Sequence, residues 1–399
     1  MILKDRRYYL HSLYSCYQRQ QNVEKYRRMF DELGGIYVKE EDAEVIFVWT
    51  CAFRQDAKDN SLMKLQDLRK QYPSKEIIIC GCMPAIDADV TKKVAEKIEG
   101  KIFPWKYEQD YFDLDLLKRC DAVCGVSPVA KNIEQYKKEH PDKAVAFADQ
   151  FVKLCIAEGC TCDCAYCSEK LAFPKYKSFA IELLKQRCKE LIAETKCYKI
   201  ILVADSPGEY GQDIGTNIIE LMENLYGLDE RLQIALNNFH PFFFKKYLEY
   251  FAEKIKQGKL YHINLPIQSA STKVLEKMRR KYSREDLSTI FKTFRELNFQ
   301  RFDTHIIVGF DGETKEEFEE TVQFLEEFKP RYILASKYMY AGSSQAALRR
   351  EEIVSEDEKQ RRIIYLAEKV QGYGAIVNYE GSELGKDRWR RLNHSVEEK

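Results

Sequence analysis

Short apolar runs alternate with helical patterns along most of this chain, in two successive series. In the first series, strand-like runs at residues 8–14, 43–50 and 76–81, with a weaker one at 122–125, alternate with helical periodicity at 24–33, 57–72 and 89–99. In the second, runs at 151–157, 199–204, 232–236, 261–265, 302–308 and 332–336 alternate with helical patterns at 178–195, 214–226, 243–257, 283–297 and 314–328. Strand, helix, strand in repetition builds parallel sheets whose two faces are covered by helices. The expected class is α/β. An open parallel-sheet domain fills residues 1–128, and the six βα units over 149–350 suggest a (β/α)6 barrel or partial barrel. A charged, weakly patterned stretch at 129–148 reads as a linker, and 351–399 as one helix (357–370) and a tail.

Composition excludes less than it allows. Lys plus Arg and Asp plus Glu each number 64, so the net charge is zero and gives no global argument for a polyanionic partner. The amino terminus lacks the apolar core of a signal peptide, and the longest apolar run, near 45–53, is too short for a bilayer. A cytoplasmic protein without a membrane partner is expected. In that reducing compartment, metal or redox roles for the 13 cysteines outrank disulfides. Cys155 and Cys188 fall within strand and helix patterns, where cysteine acts as a small hydrophobe.

The cysteines that carry chemistry sit in Gly159-Cys160-Thr161-Cys162-Asp163-Cys164-Ala165-Tyr166-Cys167, just after the first strand of the second series. Cys160, Cys164 and Cys167 have a Cys-x3-Cys-x2-Cys spacing. Three thiolates so placed can hold three corners of a cubane iron–sulfur cluster and leave the fourth iron open. Zinc prefers four closed ligands, and no second close cysteine pair lies within finger-like distance. Incidental thiols are the remaining reading. Cys162 is an alternative to Cys160, although the glycine directly before Cys160 favours the first register.

Three more cysteines stand out by position rather than spacing. Cys16, Cys51 and Cys82 each lie just past a strand of the first series. Loops at the carboxyl ends of parallel strands converge, so residues distant in sequence can meet there. The alternative is three buried strand-end thiols. Cys80 alternates with Cys82 through Gly81 and is expected to face the core.

The Cys-x3-Cys-x2-Cys loop with an aromatic before its last cysteine resembles that of radical S-adenosylmethionine enzymes, and the wider pattern resembles their methylthiotransferase branch. Cys16, Trp49-Thr50-Cys51 and Gly81-Cys82-Met83 match the branch's three separated cysteines. Tyr210-Gly211-Gln212-Asp213, Pro266-Ile267-Gln268-Ser269, Met278-Arg279-Arg280-Lys281-Tyr282 and Val308-Gly309-Phe310-Asp311-Gly312-Glu313-Thr314 follow in the family's order. The family's usual Asn-Thr-Cys is Trp49-Thr50-Cys51 here, and the usual Asn three residues past the first cysteine is Arg19. The family's tRNA enzymes end in a small RNA-binding β-barrel, which this chain is expected to lack.

The resemblance implies two [4Fe-4S] clusters and S-adenosylmethionine as cofactors. Cys160, Cys164 and Cys167 would hold the cluster whose open iron chelates S-adenosylmethionine, and Cys16, Cys51 and Cys82 the auxiliary cluster. One S-adenosylmethionine would methylate sulfur, and a second would be cleaved to a 5′-deoxyadenosyl radical that abstracts a substrate hydrogen. The carbon radical would then take the methylthio group. Tyr166 is a candidate for packing beside the adenine, or for covering the barrel rim. Gln268, Ser269 and Arg280 are candidates for the ribose and carboxylate, Arg because its fork binds carboxylate bidentately; for Arg280 the alternative is a solvated basic run. Gly309 and Gly312 permit close backbone approach. Asp205 and Glu209, at a strand's carboxyl end, are candidates for the cofactor's ammonium or for substrate, the alternative being an ordinary role within the loop. Thr314 with Glu317 reads as a helix capping box, so Glu313 is not taken as catalytic. The expected partners are a polypeptide substrate, with tRNA as the alternative, and a donor such as flavodoxin or ferredoxin. A non-catalytic iron–sulfur scaffold is the reading from another class. The basic tail Arg388-Trp389-Arg390-Arg391 reads as a charged fringe or an RNA contact.

Overall fold

A computed structural model describes residues 3–12, 17–104, 112, 151–172, 175–339 and 353–379, with side chains omitted for 12 and 17–21. Cys16, the strand expected at 122–125, the linker at 129–148 and the tail at 388–391 lie outside the described residues. The chain forms two compact units. One is built on Met1–Gly125 and includes Cys167–Tyr176; the other contains Val126–Tyr166 and Lys177–Tyr340.

The first unit carries a five-stranded sheet in the order β2-β1-β3-β4-β5, all parallel. Its strands are β1 (Arg7–Ser12), β2 (Ile36–Tyr37), β3 (Val45–Thr50), β4 (Glu76–Gly81) and β5 (Lys101–Ile102). Helices α1 (Tyr17–Glu32), α2 (Gln55–Gln71), α3 (Met83–Ile86) and α4 (Ala88–Lys97) link them. Every residue of β3 is buried, as an apolar run covered on both faces requires. Tyr26 and Phe30 of α1 pack on Trp49 and Phe47 of β3, with ring centroids 5.4 and 4.5 Å apart. The winding reverses at β1, since β2 lies on one side of it and β3 on the other. Such a reversal opens a crevice beyond the carboxyl ends of β1 and β3.

The second unit holds a seven-stranded parallel sheet in which the strands follow sequence order. They are β6 (Val152–Cys155), β9 (Lys199–Val203), β10 (Gln233–Leu236), β11 (Leu260–Asn264), β12 (Phe302–Val308), β13 (Tyr332–Lys337) and β14 (Ile376–Asn378). Between β6 and β9, β7 (Ala157–Glu158) pairs antiparallel with β8 (Lys177–Ser178). Monotonic order without a return marks barrel winding, and among the described residues β6 and β14 remain as edges, so the barrel is partial.

The helices are α5 (Ile181–Thr195), α6 (Ile218–Tyr226), α7 (Pro241–Lys246), α8 (Leu248–Lys256), α9 (Thr272–Lys277), α10 (Arg284–Glu296), α11 (Lys315–Phe328) and α12 (Glu356–Gln371). Phe244, Phe251, Phe291 and Phe294 from these helices are buried together with Phe302. The Thr314–Glu317 capping box is present at α11. Three details depart from the sequence pattern. α6 starts at Ile218 because Asn217 caps it, accepting from the N–H groups of Ile219 and Glu220. The helix expected at 243–257 is divided at Tyr247. Strand β14, three residues long, follows the C-terminal helix where only a tail was expected.

Candidate functional site

The cysteine loop leaves the barrel's first strand through Gly159, whose φ of +79° suits glycine. Two carboxylates from the next strand's exit hold it. Gly159 N–H donates to Asp205 Oδ2 at 2.8 Å, and Thr161 N–H donates to Glu209 Oε2 at 3.0 Å. The Thr161 hydroxyl also donates to Glu209. Of the ligand and loop roles open to Asp205 and Glu209, the structure shows contacts to the loop backbone, because parallel pairing of β6 and β9 sets the two strand exits side by side. The Tyr210–Asp213 motif has a similar task. Tyr210 OH donates to Phe179 O, Gly211 N–H to Ser178 Oγ, and Asp213 accepts from Ser178 N–H, tying the β8 turn to this exit.

A second brace comes from the Met278–Tyr282 segment. Ala165 N–H donates to Met278 O at 3.0 Å, and Arg279 pairs with Asp163 at 2.6 Å. Arg280 is 8% exposed, so it is no solvated basic run. Its Nη1 donates to Cys164 Sγ at 3.3 Å and to Tyr166 OH at 3.1 Å, its Nη2 to Pro266 O at 3.0 Å, and its Nε to Tyr282 OH at 2.8 Å. The fork expected to grip a carboxylate thus clasps the loop itself. Tyr166 also packs against a core of Ala165, Val274, Met278, Phe310 and Tyr338. Burial pushes the Tyr282 hydroxyl up to about 12, so it stays protonated and donates to Ile267 O.

Cys160, Cys162 and Cys167 are half-buried and Cys164 is buried. The sulfurs of Cys160 and Cys162 and a Glu209 oxygen lie within 4.8 Å of one another, a grouping that the spacing alone did not select. A hydrogen bond between the two thiols raises Cys160 and lowers Cys162.

Of the remaining candidates, Ser269 is fully buried, and its hydroxyl meets Thr321 Oγ1 and accepts from Ser271 N–H, so it closes a turn rather than facing a ligand. Gln268 has a φ of +66°, and its backbone bridges to β12 through His305 O and Ile307 N–H. Gly309 (φ +73°) donates its N–H to Glu313 Oε2 at 2.7 Å, and a Cβ there would lie 2.4 Å from Lys359 Cγ. Gly312 has a φ of +67°. Arg362 of α12 reaches Glu313 Oε2 at 2.9 Å, both side chains being under a tenth exposed. Burial pushes Glu313 up to about 7, against the pull of Gly309 N–H and Arg362. This clamp from α12 onto the glycine loop is 49 residues away in sequence and has no local signal.

In the first unit, Cys51 and Cys82 follow the adjacent strands β3 and β4. Cys51 N–H donates to Ser61 Oγ at 3.1 Å, and Cys82 N–H donates to Thr50 O at 3.0 Å. Gly81, the last residue of β4, has a φ of +90°, and a Cβ there would lie 2.4 Å from Thr50 O. Cys80 is buried within β4, as expected, and burial pushes its thiol up.

The donor chemistry fits an open-iron cluster: three cysteines on one short loop, with a guanidinium donating to one sulfur. A profile described as the Radical SAM superfamily matches residues 154–325, and one described as Uncharacterized protein family UPF0004 matches residues 7–101. In fold, the chain is similar to a Kitasatospora setae radical S-adenosylmethionine methyltransferase, TsrM (TM-score 0.54, 12% identity, covering 83% of this chain and 75% of that one). Fold and site together define a radical S-adenosylmethionine enzyme. Two relatives narrow the class. One, from Methanocaldococcus jannaschii, is named a probable threonylcarbamoyladenosine tRNA methylthiotransferase and is 27% identical over 97% of this chain and 94% of its own. The other, from Clostridium novyi, is named ribosomal protein uS12 methylthiotransferase RimO and is 28% identical over 84% and 75%. The two matched domains and these relatives support an enzyme of the radical S-adenosylmethionine methylthiotransferase class, with [4Fe-4S] clusters, two being typical of that class, and S-adenosylmethionine as cofactors. Among the described residues no helix is long and apolar enough to cross a membrane.

Proposed function

We propose that Cys160, Cys164 and Cys167 hold the radical-generating cluster and that Cys16, Cys51 and Cys82 hold the sulfur-donating one. Residues 1–128 then form the sulfur-donor domain and residues 149–350 the radical domain, joined by the linker at 129–148, with α12 of the 351–399 segment serving the second. The observation that carries this reading is the double bracing of the cysteine loop, by Asp205 and Glu209 on one side and Arg280 on the other. When bound, the loop cluster passes one electron to S-adenosylmethionine for its cleavage, and the other cluster supplies the sulfur.

The chain's own residues order the reaction. Asp205 and Glu209 fix the backbone that presents Cys160. Arg280 fixes Cys164 and Tyr166 together, so the aromatic ring is held on the same braced loop that would carry the cluster. Gln268, Gly309 and Gly312 use left-handed backbone to turn the chain at the strand exits, with the Gln268 and Gly309 N–H groups held by His305 O and Glu313, so the loops that would face the cofactor are fixed in shape. Fixed geometry matters because electron transfer and hydrogen abstraction both require contact distances.

For the substrate we assign tRNA, at an adenosine. The M. jannaschii relative named for tRNA aligns along nearly the full length of both chains, and this supports tRNA more directly than zero net charge supports a polypeptide. A polypeptide remains the second reading, favoured by the relative named for a ribosomal protein. A donor such as flavodoxin or ferredoxin supplies the electron in either case. Reconstituted enzyme incubated anaerobically with bulk tRNA and, separately, with ribosomal proteins tests the assignment by mass spectrometry. A methylthio increment on nucleosides is expected; an increment on protein alone overturns it.

A further inference from the structure

The loop contains a fourth cysteine that the family-type triad does not use. Cys155 and Cys188, in strand and helix, are buried at 6% and 0% exposure, as packing thiols are. Cys162 differs from both. It is half-buried in a polar loop, its backbone N–H donates to Cys160 Sγ at 3.4 Å, and its sulfur lies 4.0 Å from Ser206 Oγ. The Cys160 and Cys162 sulfurs and a Glu209 oxygen converge within 4.8 Å.

Two thiolates bound to one metal, with bonds of about 2.3 Å, stand at most about 4.6 Å apart. A change of χ1 swings a cysteine sulfur by about 3 Å. The observed convergence therefore puts a single metal within reach of either sulfur after side-chain rotation alone. Thr161, between them, is pinned through both its N–H and its hydroxyl to Glu209, so the exchange leaves the loop backbone in place.

We propose that Cys162 is a reserve ligand for the cluster iron held by Cys160. The inference rests on the reading of this loop as the cluster site. In the exchange one iron–sulfur bond to Cys160 breaks and one to Cys162 forms. The proton of the incoming thiol passes to the outgoing thiolate, and no electron is transferred. Iron accepts either thiolate, both being soft ligands of the same type.

The test compares full-length, anaerobically reconstituted wild type with Cys160→Ala, Cys162→Ala, the Cys160→Ala/Cys162→Ala double variant and Cys164→Ala. Iron, acid-labile sulfide and the electron paramagnetic resonance of the reduced protein are read, with circular dichroism as the check on folding. Cys162→Ala is expected to keep both clusters. Cys160→Ala is expected to keep both with an altered resonance, while the double variant falls to about half the iron. If Cys160→Ala loses as much iron as the double variant, the inference is overturned. Iron loss in Cys162→Ala alone overturns it too, by making Cys162 the primary ligand. Cys164→Ala separates the failures: retention of both clusters there refutes the loop assignment itself, whereas loss there with equal loss in Cys160→Ala and the double variant refutes only the reserve role.

Discussion

Replacing Arg280 by lysine keeps the charge and removes the fork. The guanidinium serves four acceptors from three nitrogens: Tyr282 OH, Tyr166 OH, Cys164 Sγ and Pro266 O. An ammonium donates from a single point, so it cannot span them. Leaving two buried partners unpaired costs about 1–3 kcal/mol each, or about 2–6 kcal/mol in total. For a domain of about 150–250 residues each kcal/mol lowers Tm by about 2–4 °C, so a fall of roughly 10 °C is expected. The assay is thermal unfolding of Arg280→Lys without iron or S-adenosylmethionine, followed by S-adenosylmethionine affinity after reconstitution. Because Arg280 braces the loop, stability falls before any cofactor is added. An unchanged Tm with a collapse in S-adenosylmethionine affinity would refute the brace and return Arg280 to the carboxylate grip expected from sequence.

Four other outcomes follow from the same geometry. Gly81→Ala forces a Cβ to 2.4 Å from Thr50 O at a φ of +90°, so the β3–β4 exit carrying Cys51 and Cys82 distorts. Reconstituted iron should drop to about half while 5′-deoxyadenosine formation from S-adenosylmethionine persists; unaltered iron content would contradict the strand-end assignment. Arg362→Met leaves Glu313 buried without its cation and should cost about 3–5 kcal/mol in urea unfolding, part of which returns with Glu313→Gln in the same chain. His240 is held well below its ordinary value, first by burial and then by Arg280 and Lys281, and its Nδ1 accepts from Phe242 N–H. Because the unfolded chain binds that proton more readily, this contribution to stability is present above about pH 6.5 and is lost as pH falls, by at most about 1.4 kcal/mol per pH unit. His240→Asn should flatten that slope, and an equal slope in wild type and variant would contradict it. Glu209→Gln puts an amide where Thr161 donates and should speed iron loss to a chelator by about 10-fold, the effect of one charge-assisted hydrogen bond; an unchanged rate would remove Glu209 from the brace.

The architecture was readable because alternation of apolar runs and helical periods is a local property. β3 and β12 fall where their apolar runs end, and the capping box at Thr314 sits where its residues announce it. Cys51 and Cys82 could be paired in thought only because strand ends in a parallel sheet converge. The bracing was not readable. Asp205 and Gly159 are 46 residues apart, and Arg280 and Cys164 are 116 apart; pairing of β6 with β9 and the winding of the sheet, not any local pattern, bring them together. For Asp205 and Glu209 the sequence left a ligand role and a loop role both open, and only the fold shows these carboxylates accepting from the loop N–H groups of Gly159 and Thr161. Ser269 was misjudged for a similar reason: only the packing of its turn against Thr321 shows its hydroxyl to be engaged. β14 escaped notice because three residues carry no period.

In the proposed function one loop generates the radical while the strand-end cysteines supply sulfur. The most direct measurement is on a folded Cys160→Ala/Cys162→Ala/Cys164→Ala/Cys167→Ala variant, reconstituted anaerobically and assayed together for iron and sulfide and for 5′-deoxyadenosine from S-adenosylmethionine. One [4Fe-4S] cluster should remain and no 5′-deoxyadenosine should form. A variant that holds no cluster, or one that still cleaves S-adenosylmethionine, would contradict the proposed function.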